Sequence, residues 1–153
     1  MTGAKLLAIA LLVAAPSGAF AAQSEPPSAA AFDHAAIYVR DLDASANFYK
    51  SVFGLKQVPA PVPFARWLVM GNGVMLHIVS GRTTPLVHSK WDHIALACAD
   101  MDVMIQTLSE KSIPWSDFEG AKSPQIRADG VKQIFVQDPD GYWIEINDAL
   151  KSR

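Results

Sequence analysis

The hydrophobic and polar positions of this chain follow one order of elements, which then recurs. Apolar and polar side chains first alternate with period two, the pattern of a half-buried strand. A stretch with helical period follows, for which Asp43 is the expected N-cap and Gly54 the expected end. The elements predicted for this first copy are a strand over 32–39, a helix over 44–53, a strand over 56–58 and a hairpin of 66–70 with 74–79.

The second half of the chain repeats that order. Trp91-Asp92-His93 matches Phe32-Asp33-His34, and later aspartates also match, all at a constant shift of 59 residues. A constant shift over such a stretch indicates an internal duplication. The elements predicted for the second copy are a strand over 92–98, a helix over 103–111 capped by Asp100 or Asp102, a long polar loop over 118–128, and a hairpin of 132–137 with 142–147.

Each copy is therefore expected to be a βαβββ module with one sheet face covered by its helix and the other bare. The helix of each module covers only one face of its sheet, so the other face stays bare. Two such modules are therefore expected to place their bare faces around a shared cup. The predicted fold class is α+β, with two βαβββ modules forming a cupped, partly open mixed sheet. The expected single domain spans residues 32–149, with modules at 32–80 and 91–149.

The strand that opens each copy carries its histidine on the face opposite to its bulky side chains. Small residues, Ala36 in one strand and Ala95 and Ala97 in the other, leave room on or beside that face. Each copy also ends with a metal-capable side chain four residues after a glycine. Imidazole and carboxylate together suit zinc, iron, manganese or nickel rather than calcium. The candidate ligands are His34, His77, His93 and Glu145.

Longer stretches of the chain resemble the vicinal oxygen chelate superfamily. The resemblance rests on the duplicated Asp-His strand, on Asn47-Phe48-Tyr49 closed by Phe53-Gly54-Leu55, and on the ending Gln137-Asp138-Pro139-Asp140-Gly141-Tyr142-Trp143-Ile144-Glu145-Ile146. This superfamily contains glyoxalase I, extradiol dioxygenases, methylmalonyl-CoA epimerase, fosfomycin-resistance enzymes and bleomycin-binding proteins. The resemblance implies that the paired modules hold one divalent ion, Zn, Ni, Mn or Fe, which substrates chelate through adjacent oxygens.

By position, the resemblance makes His34, His93 and Glu145 metal ligands. His77 falls where glyoxalase I has glutamate and the epimerase has glutamine, which is a departure from the glyoxalase pattern. The implied activity is that of a glyoxalase-I-like lyase or isomerase, with Glu145 as ligand and base and His77 as a ligand or an acid-base group.

Two alternatives stay open at this stage. The first is an extradiol-type ring-cleaving dioxygenase, which would use His34, His93 and Glu145 to hold iron and needs an acid-base group from His77, Tyr38 or Tyr142. The second is a non-catalytic small-molecule binder of the bleomycin-resistance type, stacking its ligand on Trp67, Trp115 or Trp143. The weaker candidates for substrate contact are Arg66, Trp67, Arg127 and Trp143, with Lys132 as a further cation. His88, in the segment between the two copies, is expected to be an ordinary surface residue.

Composition and net charge indicate which kinds of partner the protein binds. The formal net charge of −2 leaves no electrostatic footprint for nucleic acid, so a small-molecule substrate is expected. A lone cysteine, Cys98, cannot form an internal disulfide, and its place in an apolar strand predicts a buried thiol. The sequence leaves open whether the cup forms within one chain or across a homodimer.

The first 22 residues predict export. Lys5 precedes an apolar run from Leu6 to Ala15, and the small-residue pattern Ala19-Phe20-Ala21 follows, as in a secretory signal peptide. The run is about half of the ~20 residues that a membrane span needs. We therefore expect residues 1–22 to be removed, residues 23–31 to be a flexible leader, and the mature protein to be periplasmic or secreted without a membrane anchor.

Overall fold

The computed structural model of the protein describes residues 30–85 and 87–152, and the predicted order of elements occurs in both halves. The predicted signal peptide and most of the predicted leader lie outside the described residues. The first module contains β1 (His34–Val39), α1 (Leu42–Phe53), β2 (Lys56–Val58), β3 (Ala65–Gly71) and β4 (Val74–Ser80). The second contains β5 (His93–Ala97), α2 (Met101–Glu110), β6 (Trp115–Ser116), β7 (Gln125–Ile126), β8 (Lys132–Gln137) and β9 (Trp143–Asn147), then a short 3-10 helix (Ala149–Ser152).

Each module forms its own mixed sheet. The strand orders are β1-β4-β3-β2 and β5-β9-β8-β6, and β7 pairs with β8 inside the stretch predicted to be a loop. In both sheets the first strand runs parallel to the last and lies at the edge. The register repeats as well, since Ala36 lies opposite His77 and Ala95 lies opposite Glu145. The predicted α+β fold of two βαβββ modules is thus confirmed.

Both helices begin at an aspartate that lies two residues before the first-turn aspartate. Asp41 accepts hydrogen bonds from the backbone N–H groups of Asp43 and Ala44, at 3.1 and 2.9 Å. The prediction of Asp43 as the N-cap was wrong, because Asp41 has the extended backbone of a cap and Asp43 already lies in the first turn. Asp100 caps α2 in the same way. Gly54 ends α1 in the left-handed region, as predicted.

The core lies between the helices and the strand faces that point away from the histidines. Ile37 and Val39 are buried beneath α1, as their alternation predicts. Their counterparts on β5, such as Leu96, are only half-buried, because β5 borders an open cleft of about 970 Å³. Cys98 lines this cleft and is half-buried, so the prediction of a buried thiol was wrong. Partial burial still raises the pKa of the Cys98 thiol.

A buried polar cluster joins the β8–β9 turn to the first module. The Asp140 carboxylate is buried and accepts hydrogen bonds from Arg82, from Arg40 and from the Ser45 hydroxyl. The turn contains a second aspartate, Asp138, which accepts a hydrogen bond from the Tyr49 hydroxyl at 3.1 Å. The compact unit Phe32–Arg153 contains both modules. Within the described residues, no helix is long and apolar enough to cross a membrane.

Candidate metal centre

The second module brings His93 and Glu145 together. The Nε2 atom of His93 lies 3.3 Å from Oε2 of Glu145, whose side chain is buried in the middle of β9. The other carboxylate oxygen, Oε1, accepts hydrogen bonds from Arg127 Nη1 at 3.2 Å and from Asn147 Nδ2 at 2.7 Å. His93 Nδ1 lies 2.6 Å from the carbonyl oxygen of Lys90. A carbonyl oxygen only accepts, so Nδ1 carries a proton, and Nε2 is the ring atom that faces Glu145.

The spacing of these two atoms fits a shared divalent cation. Two ligand atoms about 2.1 Å from a tetrahedral zinc ion lie about 3.4 Å from each other. The observed separation of His93 Nε2 and Glu145 Oε2 is 3.3 Å. An imidazole lone pair and a carboxylate oxygen this close repel each other unless a proton or a cation lies between them. The pair therefore suits two positions of a metal site, with hydrogen bonds behind each ligand of the kind that orients metal ligands.

The first module brings His34 and His77 together at the equivalent place. Their rings stack with centroids 4.0 Å apart, and the Trp67 ring stacks on His77 with centroids 4.2 Å apart. Two rings cannot occupy the same side of His77 at that distance, so His77 is sandwiched between them. His34 Nδ1 lies 2.6 Å from a carboxylate oxygen of Asp33, which leaves Nε2 of His34 for a ligand.

His77 has the properties of an unused metal ligand. Its Nε2 atom is buried and has no hydrogen-bond partner among the described residues. Burial lowers the pKa of His77, and the neighbouring His34 lowers it further, while Asp33 acts in the opposite direction. A neutral imidazole results, which is the form that binds metal.

The two pairs do not meet within the described part of the chain. No group of three or more His, Cys, Asp or Glu side chains in residues 30–85 and 87–152 lies close enough to hold a metal ion. Each pair instead belongs to the histidine-bearing face of its own sheet, and on β1 and β5 that face is exposed. The sequence thus predicts two pairs at equivalent positions, whereas a shared four-ligand site is not formed in one chain.

The weaker candidates for substrate contact fall at different places. Arg127 belongs to the site, because it bridges Glu145 and Asp129. Trp67 contacts His77. Trp143 begins β9, and its Nε1 donates to the carbonyl of His88 at 3.0 Å. Arg66 instead donates to the backbone carbonyls of Pro63 and Ala65 and to the Asp43 carboxylate.

Tyr142 and His88 make contacts that the sequence does not predict. The Tyr142 hydroxyl accepts from the backbone N–H of Tyr38 at 3.0 Å and donates to its carbonyl at 3.2 Å, so it supports the edge of β1. His88, expected to be an ordinary surface residue, is half-buried with its ring 4.0 Å from that of Tyr142. That expectation was wrong because the segment between the modules packs against the start of β9.

Sequence reasoning missed Asn147 and Lys90. Asn147 lies two residues after Glu145 on the same strand, and period-two alternation could have placed it on the same face. The carbonyl of Lys90 acts through the backbone, which residue identity does not reveal.

Comparison with known proteins agrees with this architecture. The family model described as the Glyoxalase/Bleomycin resistance protein/Dioxygenase superfamily matches residues 31–146. The chain belongs to this superfamily.

Individual relatives are more distant. Glyoxylase I 4 of Arabidopsis thaliana is 28% identical over 124 residues, which cover 74% of this chain and 68% of that protein. The structure of oxidase ChaP-H2 is similar with a TM-score of 0.66 and 23% identity, over 78% of this chain and 94% of that chain. Lactoylglutathione lyase from Agrobacterium tumefaciens is similar with a TM-score of 0.60 and 22% identity, over 81% of this chain and 96% of that chain. At these identities the two structures show the fold alone.

Proposed function

We propose that this protein is a divalent-metal-dependent lyase or isomerase of the glyoxalase I type. Its substrate would be a small α-hydroxy-carbonyl compound that chelates the metal through adjacent oxygens. The observation that carries the proposal is the pair of His93 Nε2 and Glu145 Oε2 at 3.3 Å, each free to face a cation because hydrogen bonds hold the opposite side of its group. The names of the Arabidopsis and Agrobacterium relatives support the same class of chemistry.

In this proposal, His93 and Glu145 bind the metal with His34 and His77. The bound ion would polarise the adjacent oxygens of the substrate and stabilise negative charge on them. Glu145 would take the proton from the hydroxyl-bearing carbon and return it to the former carbonyl carbon, while the hydroxyl proton passes to the former carbonyl oxygen. The hydroxyl carbon is oxidised and the carbonyl carbon is reduced within one molecule, so no outside oxidant is needed. Arg127 and Asn147 would orient the carboxylate through its Oε1 atom.

We further propose that the complete site forms between two copies of the chain. His34 and His77 of one copy would face His93 and Glu145 of the second. Two observations support this: the described residues of one chain hold no group of three ligands, and both histidine-bearing strands lie at sheet edges. The cleft of about 970 Å³ beside β5 also leaves space for further protein at that edge. Twofold-symmetric dimers are the commonest assemblies of identical chains.

Mixing two damaged variants tests the assembly. His34→Ala and Glu145→Ala should each bind zinc poorly alone, because each removes a ligand from every site. After random exchange of chains, half of the dimers would be mixed, and about a quarter of all sites would again be intact. Zinc bound per chain, measured after equilibration of the mixture, should rise to that level. If the mixture binds no more zinc than the separate variants, the site does not form between copies.

A substrate panel tests the reaction. Zinc-, nickel-, manganese- and iron-loaded protein should isomerise α-hydroxy-carbonyl substrates, and Glu145→Gln should remove that activity. Exchange of the substrate C–H proton with deuterated solvent, followed by NMR, reports proton removal directly. Oxygen uptake with catechols and no isomerisation would instead establish the dioxygenase alternative. Ligand binding without turnover, unaffected by metal removal, would establish the binder.

A further inference from the structure

The two copies hold their equivalent histidines in different ways. In the first copy the carboxylate of Asp33, the residue directly before His34, accepts from its Nδ1 atom. The matching residue before His93 is Asp92, yet His93 Nδ1 faces the carbonyl oxygen of Lys90 at 2.6 Å. The second copy therefore has a backbone acceptor where the first copy has a side-chain acceptor. A backbone acceptor orients the ring only if its own segment is held in place.

We infer that Lys90 is a positioning residue for His93. Its ammonium group donates to Ser116 Oγ at 3.0 Å and to the carbonyl oxygens of Asp117 at 2.8 Å and Phe118 at 3.1 Å. These three acceptors match the three protons of a lysine ammonium group. Lys90 is thus used entirely inside the protein and is not a substrate-binding cation.

Aromatic rings also contact the Lys90 ammonium group. These ring contacts and its three hydrogen bonds are together called the Lys90 anchor. Lys90 Nζ lies 4.7 Å from the centroid of the Trp143 ring and 5.7 Å from that of the Phe135 ring, both within the range of cation–π attraction. Phe135 also meets the His93 ring edge-on, with centroids 5.4 Å apart. The ammonium group therefore joins the segment before β5 to the end of β6 and to β8 and β9. These contacts surround the ligand histidine.

The anchor determines which nitrogen of His93 can bind a metal. With the Lys90 carbonyl in place, Nδ1 carries the proton and Nε2 is left as the acceptor beside Glu145. If the ammonium group is lost, the turn that the Asp92 N–H closes on the Ser89 carbonyl remains, but the Lys90 carbonyl is held less firmly. His93 can then place its proton on Nε2 and donate to the Glu145 carboxylate. The ligand atom would then be blocked. Only this last consequence, the effect on metal binding, rests on the proposed function.

The test is Lys90→Met, which keeps the length of the side chain and removes the ammonium group. Nitrogen-15 NMR of the metal-free protein, recorded at a pH where both rings are neutral, distinguishes the two histidine tautomers. In the parent protein, both His34 and His93 should be protonated on Nδ1. In Lys90→Met, His93 should shift toward the Nε2-protonated form while His34 is unchanged, and zinc affinity should fall about 10- to 100-fold.

Two further variants support this design. Lys122→Met is the matched control, because Lys122 also lies over a tryptophan ring, that of Trp115 at 5.6 Å, in a contact that includes none of the candidate ligands. It should leave both histidines and the zinc affinity unchanged. Ser116→Ala removes one acceptor of the anchor and should shift His93 in the same direction by a smaller amount, even if Lys90→Met does not fold.

An unchanged His93 tautomer in Lys90→Met and Ser116→Ala would overturn the inference, and so would an equal shift of His34, which would show general loosening. Unchanged zinc affinity despite a shifted tautomer would overturn its consequence for metal binding. If His93 shifts as expected but the parent protein binds no metal, the positioning role stands and the proposed function fails.

Discussion

Replacing Asp140 by asparagine should destabilise the protein far more than its conservative character suggests. The residues Asp140 and Arg82 are 6% and 5% exposed, and their side chains form a buried ion pair. Arg40 adds two hydrogen bonds of 3.1 Å to the same oxygen, from its backbone N–H and from Nε. The other donors of Arg82 go to the carbonyls of Tyr38, Thr84 and Asp140 itself. Asparagine fills the same space but leaves the buried guanidinium without an anion.

The expected loss is about 3–5 kcal/mol, the cost of breaking a buried pair by removing one partner. At about 2–8 °C per kcal/mol, the melting temperature should fall by at least about 6 °C. Burial pushes the pKa of Asp140 upward, but hydrogen bonds from Arg40 and Arg82 outweigh burial and hold this pKa below its ordinary value. A depressed pKa stabilises the folded state above the unfolded pKa of about 3.9, and this contribution is lost as pH falls through the folded pKa. The difference between parent and variant should therefore narrow below about pH 4.

Asp138→Asn is the matched control in the same turn. Asp138 accepts from the backbone N–H groups of Asp140 and Tyr142, both at 2.9 Å, and from the Tyr49 hydroxyl at 3.1 Å. An asparagine oxygen can keep the two backbone bonds, and its amide can donate to the tyrosine oxygen, so the loss should be about 1 kcal/mol or less. Burial raises the pKa of Asp138, so its effect on stability has the opposite pH dependence to that of Asp140. The stability that Asp138 contributes is present at low pH and is lost as pH rises through the folded pKa.

Urea unfolding of the three proteins, followed by circular dichroism at about pH 7 and at about pH 3, below the unfolded pKa, measures both effects. A loss at pH 7 that is as small for Asp140→Asn as for Asp138→Asn would refute the reasoning. It would mean that the surrounding carbonyls and water satisfy Arg82 without an anion.

Three other predictions follow from single features. His77→Ala should weaken zinc binding less than His34→Ala, because its position varies in residue type among the proteins that the chain resembles; equal and complete loss of zinc, measured by competition with a chelating dye, would make His77 a full ligand. Gly81→Ala should lower the free energy of unfolding by about 1–3 kcal/mol, because Gly81 has a φ of +120°. Urea unfolding should show a larger loss than for Gly54→Ala, because a Cβ at Gly81 meets the Tyr38 hydroxyl at 2.7 Å, whereas the space at Gly54 is open. Mass spectrometry of protein from the native host should show an N-terminus near Ala22 or Gln23; an intact Met1 would contradict the predicted export.

The sequence predicts the fold well because its signals are local and repeated. Alternation along β1 and β4, helical period along α1, and the glycine at the end of α1 each depend on residues within a few positions of each other. The shift of 59 residues then transfers the order of elements from one copy to the other. Even the parallel pairing repeats, with Ala36 opposite His77 and Ala95 opposite Glu145.

What sequence reasoning missed depends on contacts between distant residues. Arg82 and Asp140 are 58 residues apart, and both types are usually exposed, so periodicity gives no sign that they are buried together. His88 and Cys98 were misjudged for a related reason. Their burial depends on how the segment between the modules and the open cleft beside β5 are arranged, which no local pattern describes.

For the candidate site, too, the sequence predicts what depends on local patterns and misses what depends on contacts between distant residues. The four candidate ligands and their pairing follow from the duplication, but the backbone acceptor for His93 and the support of Glu145 by Arg127 and Asn147 do not. Whether the two pairs meet depends on assembly, which a single chain does not determine.

The choice of histidine at position 77 has an electrostatic consequence if the proposed site is correct. A divalent ion with three neutral imidazoles and the carboxylate of Glu145 keeps a net charge of about +1, whereas a second carboxylate at position 77 would bring it to zero. The extra charge should favour substrates and inhibitors that chelate the metal as anions. His77→Glu should therefore bind an anionic hydroxamate about tenfold more weakly than the parent, or about 1.4 kcal/mol, although it resembles the glyoxalase pattern more closely. His77→Gln, which is neutral, is the control and should keep most of the affinity. Isothermal titration of the zinc-loaded proteins measures this difference, and equal affinities of the glutamate and glutamine variants would show that charge at position 77 does not reach the metal.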